Sequence, residues 1–337
     1  MAAVSPILLA LFSWSILLVV SRAILVETGL DPWLFTFLQM MAGGLILMVL
    51  GGWRQIGLSA LKDPFTWGFG VLRVLTAAFF TAALVHTTAA NASFVGIIVV
   101  PLSMAVLFAC GFRQPTLREL PGQLIVLAGL WVVVTGLEGG FSNPALVYMV
   151  LSEICVVLAT LISELHPMNQ TEDMRQRAGL TGVMLFAASI CMLGGAIALS
   201  LLGSALPTLS EALPAAPEWI GTPSLLLDPT LWIAAILVGA LLRGTSQFLS
   251  LRAVYRVGTE NYLAGIAALP FMSLGLEFLF YQLGLIDIFV FSGQTVLGGV
   301  IMTAGSLAVL FSRRHTSTRI ARQTSPQSPG GTHQPPQ

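Results

Sequence analysis

The stretch FVGIIVVPLSMAVLF, Phe94–Phe108, decides the reading of the fold. It is apolar almost throughout, yet Pro101 stands in its middle. A proline inside a helix removes a backbone hydrogen bond and clashes with the preceding turn, at a cost of about 3 kcal/mol. The pattern returns in YLAGIAALPFMSLGLEF, Tyr262–Phe278, with Pro270 in the same setting. In each stretch a glycine, Gly96 or Gly265, stands five residues before the proline.

The surrounding chain has the same character. Of 337 residues, 56% are hydrophobic and 9% charged, and the mean hydropathy is +0.88. Soluble domains carry about 25% charged residues, so these charges are too few for a polar shell and lipid is the solvent for most of the chain. A net charge of zero offers no basic surface to nucleic acid. Cys110, Cys155 and Cys191 lie in apolar runs and read as packing residues, not as a disulfide frame or metal site. No cofactor is implied. The first apolar run has no basic segment before it, so it reads as a retained helix and not a signal peptide.

A bilayer crossing needs about 20 apolar residues. Ten segments qualify: Pro6–Val26, Trp33–Gly51, Phe65–Val85, Asn91–Gly111, Glu119–Leu137, Pro144–Glu164, Ala178–Gly203, Thr230–Ser250, Thr259–Gln282 and Asp287–Phe311. Arg54, Lys62, Arg113, Arg118, Arg175, Arg177, Arg252, Arg256 and the arginines after Phe311 fall in even-numbered loops or the C-terminal tail. The odd-numbered loops carry acids such as Glu27, Asp31, Glu138 and Asp228. The positive-inside rule then places both termini in the cytoplasm. Trp33, Trp53, Trp67 and Trp232 stand at helix ends, as in an aromatic belt. The proline-rich loop 204–229, with Trp219, is expected outside, and 312–337 is expected to be a disordered basic tail.

The two proline stretches overlay: Ala92 to Ile97 followed by Pro101, on Asn261 to Ile266 followed by Pro270. Leu72-Arg73 answers Leu242-Arg243, Gly122-Gln123 answers Gly293-Gln294, and Ser5-Pro6 answers Asn143-Pro144. The chain therefore reads as an all-α membrane protein of ten transmembrane helices in two five-helix repeats, 1–140 and 141–311. Five crossings are odd, so the halves enter from opposite sides, as inverted repeats. Pro101 and Pro270 are then expected to kink the fourth and ninth helices near the pseudo-symmetric centre.

Further residues resemble a known family. Trp14 within Ser13-Trp14-Ser15, Arg22 after it, and Ala89-Ala90-Asn91-Ala92-Ser93 followed by Pro101 are similar to motifs of the drug/metabolite transporter superfamily, in its form with paired EamA-type domains. The resemblance covers about residues 5–311. Gln39 stands where the family often has arginine, and Gln114 and Leu283 mark places where it often has glutamate. The resemblance implies a ten-helix fold that moves small metabolites by alternating access: amino acids, organic acids or amines, or amphipathic drugs. It also implies residence in a plasma membrane, the inner membrane of a bacterium.

Charged residues inside the spans are candidate functional groups, because each costs about 2.5–3.5 kcal/mol or more at a helix centre. Arg22, Arg73, Glu153, Arg243 and Glu277 are such groups. Glu153 stands near the midplane, opposite Ser15 in the repeat, as a proton carrier, an amine contact, or half of a static ion pair with Arg243 or Arg22. Arg243 suits a carboxylate or phosphate, and Arg73 either joins it or snorkels to the cytoplasmic surface. Trp14, Tyr148, Gln247 and Asn91 complete the substrate-binding candidates. With one lysine, Lys62, and no GxxxxGK, transport is expected to be secondary or facilitated. HExxH and paired intramembrane aspartates are missing, which weighs against an intramembrane enzyme. A membrane scaffold or regulator with the same fold is the other alternative. The expected partners are a small-molecule substrate and the lipid bilayer.

Overall fold

The computed structural model describes residues 4–52, 58–111, 117–165, 173–205, 222–257, 262, 265–287 and 289–324. Among these residues the regular structure is helical, with no strand. The first helices are α1 (Val4–Thr28), α2 (Pro32–Gly51), α3 (Pro64–His86), α4 (Ala89–Gly96), α5 (Val99–Ala109) and α6 (Leu120–Thr135). There follow α7 (Pro144–Leu165), α8 (Met174–Ala205), α9 (Pro229–Val238), α10 (Gly244–Val257), α11 (Leu269–Gln282) and α12 (Gly293–Thr324). Among the described residues, seven helical segments are long and apolar enough to cross a bilayer, counting α4–α5 and α9–α10 as one each, and Leu120–Thr135 and Gly293–Val309 are shorter apolar helices. The protein is an integral membrane protein. α12 runs on to Thr324, past the expected end at Phe311 and into the segment read as a disordered tail; helix geometry there does not require apolar residues. Trp53, Arg54, Arg113, Gln114, Trp219 and the loop centre 206–221 lie outside the described residues.

Helix starts are written in the sequence as Asp-Pro or Asn-Pro. Asp31 accepts from the Trp33 and Leu34 N–H groups at 2.9 and 2.8 Å. Asp63 accepts from Phe65 N–H, Asn143 from Ala145 N–H and Asp228 from Thr230 N–H, at 2.9, 2.8 and 2.8 Å. In each case the carboxylate or amide oxygen satisfies an orphan donor, and the proline occupies the first helical position, where its missing N–H is harmless. Two of these starts are near copies. Asp63-Pro64-Phe65-Thr66-Trp67 and Asp228-Pro229-Thr230-Leu231-Trp232 each follow a short 3-10 turn, Leu58–Lys62 or Pro223–Leu227. Each tryptophan turns its indole N–H back to a carbonyl six residues earlier, Trp67 to Leu61 and Trp232 to Leu226, both at 2.8 Å.

The prolines of the opening stretch do not kink continuous helices. The fourth crossing breaks at Ile97 and Ile98, and α5 starts at Val99, which puts Pro101 in its first turn. α11 starts at Leu269 after a turn at Ala267 and Ala268, with Pro270 as its second residue. First-turn N–H groups have no intrahelical partner, so proline loses nothing there. The break lies upstream of each proline, directly after Gly96 in one case and after Gly265-Ile266 in the other.

Antiparallel helix pairs form the frame. α2 packs along α8, α6 along α12 and α3 along α7, while α1 lies against α10 and α11, and α4 against α11. Glycine sets two of these contacts. A Cβ on Gly122 would stand 3.0 Å from the Gly305 carbonyl oxygen, and one on Gly305 2.8 Å from that of Gly122. Gly129 and Gly298 meet in the same reciprocal way, at 2.7 and 2.8 Å. In α2 and α8, Gly44 faces the Gly182 carbonyl at 2.9 Å and Gly182 faces that of Gly44 at 2.7 Å. Between lipid-embedded helices, close backbone approach supplies the packing that water-driven burial cannot.

A side chain at Gly129 overpacks this seam. Gly129→Val is expected to destabilise the detergent-solubilised protein by about 1–3 kcal/mol or more, read as a lower melting temperature. Gly275→Ala, where a Cβ meets nothing within 4 Å, leaves it unchanged or slightly raised. Equal melting of the two variants contradicts the packing account.

Candidate functional site

The residues from Gly239 to Arg243 join α9 and α10 as a π turn, a widened helical turn. It presses Gly239 against α2, where a Cβ would meet the Gln39 backbone carbonyl. On α2, Gly43 leaves room for the arginine stem, since a Cβ there would stand 2.8 Å from Arg243 Cγ. Arg243 is thus laid along α2 with 7% of its surface exposed. Its Nε and Nη2 both donate to Gln39 Oε1, at 3.1 and 2.7 Å. Gln39 Nε2 in turn donates to Ser21 Oγ on α1 at 3.1 Å. The guanidinium carbon lies 5.2 Å from the Trp14 ring centroid, a cation–π contact.

Trp14 is held from behind. Its indole N–H donates to Ser250 Oγ at 2.5 Å, the Tyr262 hydroxyl donates to the same oxygen at 2.9 Å, and Ser250 donates to the Ser246 carbonyl at 2.8 Å. With one donor and two acceptor sites filled, the Ser250 hydroxyl is saturated. The hydroxyls of Ser13 and Ser246 are 2.7 Å apart. Beside Ser246 on α10, Gln247 Oε1 accepts from Arg73 Nη2 of α3 at 3.3 Å. Arg73 lies in the electrostatic field of both Glu153 and Arg243.

Glu153, on α7, is 8% exposed. Its Oε1 would stand 3.1 Å from a Cβ on Gly96, so the glycine before the α4–α5 break lets the carboxylate approach the backbone. Among the described residues no hydrogen bond reaches this carboxylate, and Arg73 is the cation whose charge it feels. The structure therefore brings together Trp14, Arg243, Gln247, Arg73 and Glu153 through contacts or shared fields.

The other candidates go elsewhere. Glu277 accepts from the Ala89 N–H at 2.7 Å, and Arg22 Nε donates to the Thr87 carbonyl at 3.0 Å. These two charges, from α11 and α1, clamp the turn between α3 and α4; a carboxylate at the N-terminus of α4 also suits its dipole. Asn91 lies in the first turn of α4, its N–H donating to Thr88 Oγ1 at 3.0 Å. Tyr148 stacks on His86 at 5.9 Å and meets Trp33 edge-on at 6.2 Å, in an aromatic cluster at the helix ends. The matching of Arg73 with Arg243 also changes: Arg73 follows Trp67 by six residues, whereas Arg243 follows Trp232 by eleven.

Gln39, Ser13, Ser21, Ser246, Ser250 and Tyr262 were not among the sequence candidates for the site. One signal was available. Arg243, Ser246, Gln247 and Ser250 recur at helical spacing on one face of an apolar helix.

Residues 1–135 match the family model described as the EamA-like transporter family. No curated protein matches. A solved structure titled only "Crystal structure of protein" is similar with a TM-score of 0.53 and 20% identity, covering 93% of this chain and 98% of that one. That likeness speaks for a shared fold well beyond residue 135.

Among the described residues, the Gln39 oxygen is the hydrogen-bond acceptor that covers Arg243. Gln39→Leu leaves a buried guanidinium without it and is expected to destabilise the protein by about 1.5–3 kcal/mol, the range for a hydrogen bond to a charged group. Trp14→Phe, which keeps an aromatic face under Arg243, costs about 1 kcal/mol through the lost indole hydrogen bond. Chemical unfolding in detergent reads both; a smaller effect for Gln39→Leu contradicts the assignment.

Proposed function

We propose, from the EamA-like transporter family match of residues 1–135, that this membrane protein is a secondary transporter of small metabolites. It works by alternating access between two inverted five-helix halves, with both termini on the cytoplasmic face of a plasma membrane. Its cargo site is the Arg243–Arg73–Glu153 cluster with Trp14 and Gln247.

Several observations support the inverted arrangement. The Asp-Pro caps with a back-bonded tryptophan start α3 and α9. Both broken crossings interrupt shortly before a proline, at Ile97-Ile98 ahead of Pro101 and at Ala267-Ala268 ahead of Pro270. The glycine pairs run α2 against α8 and α6 against α12 with residue numbers rising on one helix and falling on the other. That is the direction expected of helices whose places in the order of crossings differ by an odd number. Discontinuous helices at a repeat interface are the usual walls of transporter sites.

The observation that carries the reading is the placement of Glu153, a buried carboxylate without a hydrogen bond among the described residues, against the helix break at Gly96. Ionisable groups at such depth mark ion or proton pathways. We assign Glu153 the coupling proton, with Arg73 as the facing charge and Cys155 as its titratable neighbour on α7.

Purified protein in liposomes tests this. Wild type is expected to accumulate cargo under an imposed pH gradient. Glu153→Gln is expected to abolish that accumulation while retaining exchange of labelled for unlabelled cargo, and Arg243→Ala to lose both. Gradient-driven accumulation at wild-type rate in Glu153→Gln sinks the proton assignment.

A further inference from the structure

Among the described residues, the hydrogen-bond partners of Arg243 and Arg73 are neutral. Arg243 uses two N–H groups on one amide oxygen, and Arg73 uses one on Gln247. A guanidinium has five N–H donors, so most donors of the pair have no partner among the described residues. Glu153 is the carboxylate within electrostatic reach of Arg73. Among the described residues, then, two cations share one anion, and no ion pair closes between them. Buried charges persist when they are paired, and the planar guanidinium fork matches the oxygens of a carboxylate or phosphate.

We infer that the Arg73–Arg243 pair binds an oxyanion: the cargo is a small organic acid, carrying a carboxylate or a phosphate ester, held beside Gln247. With Glu153 ionised, a single negative charge on the cargo balances the cluster; with Glu153 protonated, two do. A cationic amine raises its excess, and a zwitterion leaves that excess in place. The inference rests on the transporter reading only for the word cargo; the oxyanion site stands without any measurement of flux. Two substitutions change the charge of the cluster in opposite directions. Gln39→Glu puts a carboxylate where the Gln39 amide oxygen now meets Arg243, and so supplies the missing anion from within. Glu153→Gln removes the anion already there.

The test is thermal unfolding of the full chain in detergent at constant ionic strength. The probes are matched sets of organic acids, their amides and their amines, such as benzoate, benzamide and benzylamine, together with the corresponding phosphate esters. A ligand that binds the folded state raises the melting temperature. Acids are expected to raise it, and their amides and amines are not. Gln39→Glu is expected to weaken acid binding about tenfold or more while melting no lower than wild type without ligand. Glu153→Gln is expected to bind the same acids more tightly than wild type at alkaline pH, where wild-type Glu153 is ionised, and about as wild type does where that carboxylate holds its proton. The inference is overturned if no acid stabilises the wild type, if amides or amines stabilise it as well as acids do, or if Gln39→Glu binds acids as wild type does. Acids that stabilise without being transported remove the transporter reading alone. Amines that are transported while acids neither stabilise nor move remove this inference and leave that reading standing.

Discussion

A guanidinium inside a lipid-embedded helix bundle must be covered by protein, because the bilayer core offers it neither water nor a counterion. Arg243 is where this chain meets that requirement, and much of the local architecture follows from it. The π turn carries the side chain toward α2, and Gly43 clears its stem. Gln39 supplies the oxygen, and Trp14 supplies the aromatic face. Ser250, Tyr262 and Ser246 then fix Trp14, so the cover itself has a second layer of hydrogen bonds. Removing an outer layer loosens the inner one, as in other buried polar networks.

The helix breaks at Gly96 and Gly265 play unlike parts within a similar frame. At Gly96 the missing side chain admits the Glu153 carboxylate and the Met149 methyl. At Gly265 the neighbours are Ile7 and Leu11, all apolar. An acid stands at one break and hydrocarbon at the other, so two breaks of similar build differ in chemistry. Phe94 and Phe271 meet edge to face at 5.2 Å, which ties the first broken crossing to α11.

Much of this frame was legible in the sequence because its signals are local. An apolar run of about 20 residues reads as a crossing, and Asn143-Pro144 reads as a helix start. The breaks before Pro101 and Pro270 were harder, since Ile97-Ile98 and Ala267-Ala268 are as apolar as the helices they interrupt. Arg243 and Gln247 stood out as polar residues in an apolar helix, but their partners are set by tertiary packing. Gln39 lies 204 residues from Arg243 in the chain. Arg22 and Glu277 were candidates for the same reason as Arg243, and the fold uses them to hold the turn at Thr87–Ala89. Depth in the membrane is readable from one sequence; which buried charges converge is not.

The central claim is that two like-built halves face each other upside down across a charged gap. The direct measurement is the sidedness of their two near-identical caps. Single cysteines at Lys62, before α3, and at Leu227, 81% exposed before α9, are introduced into a background without Cys110, Cys155 and Cys191. Labelling with a membrane-impermeant maleimide is compared in right-side-out and inside-out vesicles. The account predicts that Leu227→Cys reacts from outside and Lys62→Cys from the cytoplasmic side; reaction of both from the same side contradicts it.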